Sequence, residues 1–385
     1  MGRFRDALAQ DGLTAIAEVK RRSPSAGELR PDADPAELAA AFERAGAAAV
    51  SILVDKRFGG TPADLSAARA ASDVPLLAKG FFTERAELEQ LRSLGADAVL
   101  LLLRDLDDSQ AHALMAAAQE LGLDTLVEAH DAEELRRAVE LGADPIGINA
   151  RDLATFAIDR AAQLRLVESA PRDRVVVAES AIAARAHGAE AELAGADAVL
   201  VGSTLMRAAD PAAKLAELLM RPLVKVCGLT REEDVAAAAE AGADLAGFVL
   251  AQETPRRAPA VLPVPDTMLS VAVHVGEITA DGADLVQLYA RENGHRSRDG
   301  VLLWNGREVA RVVDRTWQEA DPGHLDRASA AEGRIVLAGG LSPENVREAI
   351  ERVRPWAVDA SSSLELEPGI KDHDRIRAFV EAARC

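Results

Sequence analysis

A phrase built on Gly-Ala-Asp and an apolar run recurs five times in this 385-residue chain. It reads "AGAAAVSIL" from Ala45, "GADAVLLL" from Gly95, "GADPIGIN" from Gly142, "GADAVLVG" from Gly195 and "GADLAGFVL" from Gly242. The glycines of successive copies lie 49, 47, 53 and 47 residues apart, and each follows an amphipathic Ala/Leu/Glu/Arg segment. Glycine readily takes the left-handed conformation that stops a helix. The run after it shows no polar alternation, which marks a strand covered on both faces, as in a parallel sheet. Further apolar runs fall at about half the period, "PLLAKGFF", "DTLVEAH" and "RVVVAES", so each repeat holds two strand-helix units.

Before Arg221 this pattern predicts eight strands: Thr14–Lys20, Ala48–Val54, Pro75–Lys79, Asp97–Leu102, Asp124–Glu128, Pro145–Asn149, Arg174–Glu179 and Asp197–Gly202. Eight such units make a (β/α)8 barrel. The competing open, doubly wound sheet would carry a Gly-x-Gly-x-x-Gly turn after its first strand, and none is present. From Pro222 the count restarts with "PLVKVC", "LAGFVL", "LSVAVHV", "LVQLY", "VLLW", "VARVVD", "RIVLAGG" and "WAVDASSS", a shorter set with an irregular middle. The expected fold is therefore α/β, two fused (β/α)8 TIM barrels over residues 1–221 and 222–385. A chain of this length exceeds what one core usually supports.

With 44 basic and 63 acidic residues the net charge is −19, which argues against nucleic acid or an anionic membrane as partner. Every apolar run is interrupted by Gly, Pro or charge within ten residues, so no bilayer span or signal peptide is expected and the cytoplasm is the expected compartment. Cys227 and Cys385 make no disulfide framework, and neither they nor the seven scattered His have metal-ligand spacing. No metal or cofactor is expected, and a monomer is.

Barrel enzymes build their sites at the carboxyl ends of the strands. In the first half those ends carry Glu18, Lys20, Lys79, Glu128, Asn149, Glu179 and Ser180. Any one of them reads as a salt-bridged or solvated side chain. A ring of them around one mouth costs several kcal/mol per ion unless the charges pair or meet a ligand. At "VGSTLM", Gly202 and Ser203 open a helix, which suits a phosphate as well as a plain N-cap.

In order along the chain, "AEVKRRSPSAG", "RFGG", "LLAKGFF", "LVEAHD", "IGINARDL", "AES" and "VGSTLM" resemble indole-3-glycerol-phosphate synthase. "VKVCGLT", "TPRRA", "VQLY", "LAGGLSPENV" and "DASSSLELEPGIKD" resemble phosphoribosylanthranilate isomerase. The fused order resembles the bifunctional enzymes of tryptophan biosynthesis, with phosphorylated anthranilate substrates. The first resemblance implies Lys79 as general acid and Glu128 as the carboxylate assisting dehydration. It implies Lys20 on the substrate carboxylate, Glu18 holding Lys20, Asn149 and Glu179 orienting hydroxyl and amine groups, and Ser180, Gly202 and Ser203 on the phosphate. Phe58 and Phe82 would pack on the anthranilate ring. An acidic Lys79 implies a pKa lowered toward neutrality by Lys20 and burial. Ala181 stands where the family usually has Gly, and Gly80 where it usually has Asp, so weaker binding is expected. Only "MGRFRDALAQDG" precedes the first strand, where the family usually has a helix that covers the site, so altered closure is expected too.

The second resemblance implies Cys227 as base, which forms a thiolate only if nearby cations or helix N-termini lower its pKa, and Asp314 as acid. Arg256 would meet the anthranilate carboxylate. Gly339, Gly340, Ser361 and Ser362 would cradle phosphate, and Asp359 would support the site. The family's "QLHG" is here "QLYA", and the glycine-rich loop after the acid is replaced by "RTWQEADPGHLD". Two alternatives stay open: a second barrel that only stabilises or docks, and a different phosphosugar barrel such as a histidine-pathway isomerase.

Overall fold

A computed structural model describes residues 2–23, 27–152, 157–252, 254–278, 282–292, 295–315 and 321–384. The chain forms two compact units, one of Met1–Ala183 with His187–Leu219, the other of Met220–Cys385 with Ala184–Ala186. Among the described residues no helix is long and apolar enough to cross a membrane.

In the first unit a closed barrel is built from β1 (Thr14–Val19), β2 (Ala49–Leu53), β3 (Leu76–Lys79), β4 (Ala98–Leu102), β5 (Asp124–Ala129), β6 (Ile146–Asn149), β7 (Val176–Glu179) and β8 (Ala198–Val201). All eight pairings are parallel, which excludes the open sheet. The glycines of the recurring phrase, Gly46, Gly95, Gly142, Gly195 and Gly242, all have positive φ, from +76° to +119°. At Gly195 the demand is also steric, because an added Cβ would lie 1.5 Å from Arg172 Nη1.

Side chains two apart on a strand share a face. Ile16, Leu77, Leu126 and Val177 therefore point inward together, and with Leu100 and Leu200 they fill the lower barrel. Helix α1 (Arg3–Leu8) buries Phe4 and Leu8 in this same cluster. The N–H groups of Phe4 and Arg5 donate to Asp124 Oδ2 at 2.9 and 3.1 Å, so α1 seals the amino end, opposite the strand termini that carry the charges. Two residues beyond each inward apolar side chain stand Glu18, Lys79, Glu128 and Glu179.

The second barrel closes through β9 (Leu223–Cys227), β10 (Leu245–Val249), β11 (Leu269–Val275), β12 (Leu285–Glu292), β13 (His295–Trp304), β14 (Arg307–Val313), β15 (Ile335–Leu337) and β16 (Ala357–Ala360). It departs from the expected all-parallel (β/α)8 pattern. β13 runs antiparallel to both neighbours, with Tyr289 opposite Gly300 and Leu302 opposite Ala310. The physical reason is loop length. A parallel crossover needs about a dozen residues, whereas Asn305 and Gly306 alone join β13 to β14, both at positive φ (+48° and +75°), as a tight hairpin turn requires. The described helices of this barrel are Glu232–Ala241, His324–Ala330, Val346–Val353 and His373–Ala382, with none described between β10 and β14.

Candidate active sites

At the carboxyl rim of the first barrel a cavity of about 240 Å³ is lined by Glu18, Lys20, Phe58, Lys79, Glu128, Asn149, Ser180, Gly202 and Ser203, among others. Lys79 Nζ sits among three carboxylates: it bonds Glu179 Oε2 and lies 3.5 Å from Glu128 and 3.6 Å from Glu18. Lys20 Nζ is 2.6 Å from the other Glu18 oxygen. Burial alone would lower the Lys79 ammonium, but Glu179, Glu128 and Glu18 together hold it well above the ordinary lysine range. This corrects the expectation of a pKa lowered toward neutrality. Three anions at contact distance outweigh one cation, Lys20, and the loss of water.

The group poised near neutrality is Glu179. Burial and the neighbouring Glu128 push its carboxyl up to about 8 in spite of Lys79. Glu128 goes the other way: burial raises it, but Lys79 and His130 outweigh that and keep it ionised. Glu179 is fully buried and does not line the cavity, so its contact here is Lys79 rather than the mouth itself. Asn149 Nδ2 donates to Glu128 Oε1 at 3.1 Å.

The aromatic expectation needs a second correction. Phe81 lines the cavity and Phe82 does not; Phe58 and Phe81 stack at 6.5 Å, while Phe82 is buried against Gly80. Both phenylalanines lie in the loop after Lys79, where Phe82 turns back over Gly80 and leaves the cavity to Phe81. Ser180 and Ala181 both adopt left-handed backbone, at φ +71° and +58°. Gly202 is required by close approach, since an added Cβ would lie 2.3 Å from Glu18 Oε1 and 2.8 Å from Lys20 Nζ. Thr204 Oγ1 donates to the Ile182 carbonyl at 2.7 Å, tying the seventh and eighth loops together. Arg151 and Arg207 also line the cavity and were not singled out from sequence. Arg151 lies two residues beyond Asn149 and Arg207 one helical turn beyond Ser203, spacings that would have found them.

In the second barrel Lys225, two residues before Cys227 and on its face, is fully buried. Its Nζ is 2.7 Å from Asp359 Oδ2 and 3.0 Å from Gln287 Oε1. Gln287 Nε2 donates to Tyr289 Oη at 2.8 Å, and Tyr289 Oη donates to Asp314 Oδ2 at 2.9 Å, where Arg296 Nη1 from β13 also donates at 2.9 Å. Burial pushes the Cys227 thiol up, more than Lys225 and Lys371 pull it down, so there is no net lowering.

Arg256 has a carboxylate of the chain itself as its partner. It is held by Glu365, with Nε 2.9 Å and Nη2 2.8 Å from Oε2, and the same carboxylate takes Lys371 Nζ at 2.9 Å. Gly339 and Gly340 have positive φ, and the Arg315 guanidinium lies against Gly340, 1.6 Å from where a Cβ would stand. Ser361 Oγ lies 2.8 Å from the Cβ position of Gly228, so the eighth loop meets the end of the first strand, and Ser362 begins the short 3-10 turn Ser362–Leu364. Residues 316–320 of the "RTWQEADPGHLD" segment lie outside the described residues.

Closed barrels with buried, mutually paired charges at the carboxyl rim define a TIM-barrel enzyme. The family model for indole-3-glycerol phosphate synthase matches residues 2–218, and that for N-(5'-phosphoribosyl)anthranilate isomerase matches residues 318–382. Indole-3-glycerol phosphate synthase 2 of Streptomyces coelicolor is 46% identical over 209 residues, covering 54% of this chain and 81% of that protein. The multifunctional tryptophan biosynthesis protein of Schizosaccharomyces pombe is 31% identical over 462 residues. That match covers 99% of this chain, which spans 61% of the relative's length. The solved phosphoribosyl anthranilate isomerase of Thermotoga maritima aligns with 42% of this chain and 98% of its own at 26% identity, with a TM-score of 0.32. The chain belongs to the indole-3-glycerol phosphate synthase family and carries an isomerase-type domain after it.

Proposed function

We propose that the chain is a bifunctional enzyme of tryptophan biosynthesis whose second barrel makes the substrate of the first. The second barrel would isomerise N-(5-phosphoribosyl)anthranilate to carboxyphenylamino-deoxyribulose phosphate. The first would close that compound to indole-3-glycerol phosphate, with loss of carbon dioxide and water. The observation that carries the synthase reading is the Lys79 ammonium set among Glu18, Glu128 and Glu179 at the rim cavity.

In ring closure the ring carbon bearing the carboxylate bonds to the carbonyl carbon, the carbonyl oxygen takes a proton, and carbon dioxide leaves. Lys79, protonated at neutral pH, supplies that proton and stabilises the developing charge. The new hydroxyl then leaves as water with a second proton from Lys79, reprotonated between the two steps, and Glu128 takes the proton the ring loses as the indole double bond forms. Lys20 holds the substrate carboxylate and is itself fixed by Glu18; Asn149 orients a hydroxyl; Phe58 packs on the anthranilate ring; Ser180, Gly202 and Ser203 hold the phosphate. Glu179, with its raised pKa and its bond to Lys79, can return a proton to the lysine after turnover.

In the isomerisation an acid protonates the ring oxygen, the ribose opens to an imine, and a base removes the C2 proton. Cys227 is the base and Asp314 the acid. This reading is supported by the chain of polar contacts from Lys225, beside Cys227, through Gln287 and Tyr289 to Asp314. Asp359 fixes Lys225, while Gly339, Gly340, Ser361 and Ser362 form the phosphate end. The purified chain should convert phosphoribosylanthranilate to indole-3-glycerol phosphate. Cys227→Ala should stop this yet leave conversion of the carboxyphenylamino intermediate intact. Intact conversion of both substrates in Cys227→Ala would overturn Cys227 as the base, whereas failure of the parent chain to convert phosphoribosylanthranilate would overturn the isomerase assignment and favour a second barrel that only stabilises the first.

A further inference from the structure

The carboxylate assigned to dehydration, Glu128, is held by a residue to which the reaction gives no part. We infer that His130 is a positioning residue for Glu128, a fixed imidazolium clamped between two carboxylates that keeps Glu128 ionised and leaves one of its oxygens for the substrate. This rests on the synthase reading of the first barrel.

The geometry begins with strand alternation: Leu126, Glu128 and His130 fall on one face as β5 leaves the barrel. His130 Nε2 is 3.1 Å from Glu128 Oε1, an ion-pair contact not aligned as a hydrogen bond, and Nδ1 is hydrogen-bonded to Glu134 Oε2 at 3.0 Å. Glu134 is itself fixed. Its Oε2 accepts the His130 backbone N–H at 2.8 Å, and its own N–H donates to Asp131 Oδ1 at 2.8 Å in the first turn of the helix Ala132–Glu140. With one ring nitrogen hydrogen-bonded to Glu134 and the other 3.1 Å from the Glu128 carboxylate, two negative charges flank the ring and favour the imidazolium. Burial lowers the imidazole, but the Glu128 and Glu134 carboxylates beside it outweigh that and push it up to about 10.

His130 and Asn149 both address Glu128 Oε1. Glu128 Oε2 is buried without a hydrogen-bond partner and lies 3.5 Å from the Lys79 ammonium. That is the oxygen left to take a proton. The other charged groups acting on Glu128 are Glu179 on β7 and Glu18 on β1, both of which oppose its ionisation. His130 is therefore needed as a second cation beside Lys79.

The test combines charge state and turnover. Nitrogen-15 NMR of histidine-labelled full-length protein, with the signal assigned by its loss in His130→Gln, should show both ring nitrogens protonated up to at least about pH 8. In Glu134→Gln the imidazole should titrate about one to three units lower, and ring closure should acquire an alkaline limb at the same midpoint. His130→Gln should lose about 10- to 100-fold in kcat, move its acid limb up by about one unit or more, and lack the alkaline limb that Glu134→Gln acquires at the imidazole midpoint. A neutral His130 at pH 7, or a His130→Gln enzyme with the parent's turnover and pH profile, overturns the inference. Absence of ring closure in the parent protein would instead overturn the synthase reading, while the NMR still decides the charge of the clamp.

Discussion

Replacing Lys79 by Met removes the one ammonium that three buried carboxylates share, and the consequences can be worked carboxylate by carboxylate. Glu18 keeps Lys20 at 2.6 Å, and Glu128 keeps His130 at 3.1 Å and Asn149 at 3.1 Å. Glu179 keeps no cation, and its Oε1 already lacks a hydrogen-bond partner. Breaking a buried pair costs about 3–5 kcal/mol when the orphan stays charged. Here Glu179 is already mostly protonated at pH 7, its carboxyl lying near 8, so the loss stays at the low end of that range, about 3 kcal/mol. The pH dependence carries a definite sign. A carboxyl whose folded pKa is raised contributes stability that is present below the unfolded value and lost as pH rises through the folded one. In the parent that loss ends near pH 8. In Lys79→Met the folded value is higher still, so the loss continues at about 1.4 kcal/mol per pH unit. The difference between the two proteins should therefore stay level below pH 8 and grow by about 2 kcal/mol by about pH 9.5. Denaturant titration followed by far-UV circular dichroism measures it. Tryptophan fluorescence is the control, because Trp304, Trp317 and Trp356 all lie after Pro222 and report on the second barrel. Ring closure should fall by about 10²- to 10⁴-fold. Parent-like turnover in a folded Lys79→Met protein, or a stability difference that shrinks as pH rises, refutes the reasoning.

Ala181 holds φ +58° in the loop after β7. Relief of that strain by Ala181→Gly, about 1–2 kcal/mol less the entropy glycine loses on folding, should raise stability by about 0.5 kcal/mol, and a lower denaturation midpoint would contradict it. Gly306 has open space around it but φ +75°, so Gly306→Ala should cost about 1 kcal/mol through backbone strain alone; no change in the tryptophan-fluorescence transition would argue against the hairpin. In a Cys385→Ser background the buried Cys227 thiol, pushed up, should react slowly with iodoacetamide at pH 7 and faster as pH rises past the ordinary thiol range, and rapid labelling at neutral pH would contradict that.

The first barrel was legible because its signals were local and repeated. A glycine that must take positive φ, followed by a strand with no polar face, marks both ends of a repeat unit, and Gly46, Gly95, Gly142 and Gly195 all conform. The charged rim was legible for the same reason, since period-two alternation puts Glu18 with Lys20 and Leu126 with Glu128. Pairing was not. Whether Arg256 is available depends on Glu365, 109 residues away, and the pKa of Lys79 depends on Glu179, 100 residues away, so neither follows from a window of sequence. One miss was avoidable. "WNGREV" carries the Asn-Gly signal of a two-residue hairpin between alternating strands, and it was subsumed in the expectation of parallel strands throughout. Phe81 and Phe82 show the finer limit: both lie in the loop after Lys79, and the path of that loop decides which meets the cavity.

The net charge of −19 and an anionic substrate are reconciled at the mouth of the first barrel. Glu18, Glu128 and Glu179 face Lys20, Lys79 and the His130 imidazolium, three against three, and Glu179 gives up part of its charge near neutrality. Arg151 and Arg207 line the same cavity, so the mouth as a whole is positive. Beyond a Debye length of about 8 Å the acidic surface is screened, whereas the guanidiniums and ammoniums act at contact, in a site partly shielded from salt. The balance also explains why the lysine need not be tuned toward neutrality. A substrate carboxylate or phosphate arriving beside Lys20 adds negative charge and holds the lysines more firmly protonated, while pushing the carboxyls further toward their neutral forms. Proton exchange within the cluster then falls to the group already closest to neutrality, Glu179, with Lys79 as its bonded neighbour and His130 restraining Glu128 from joining it.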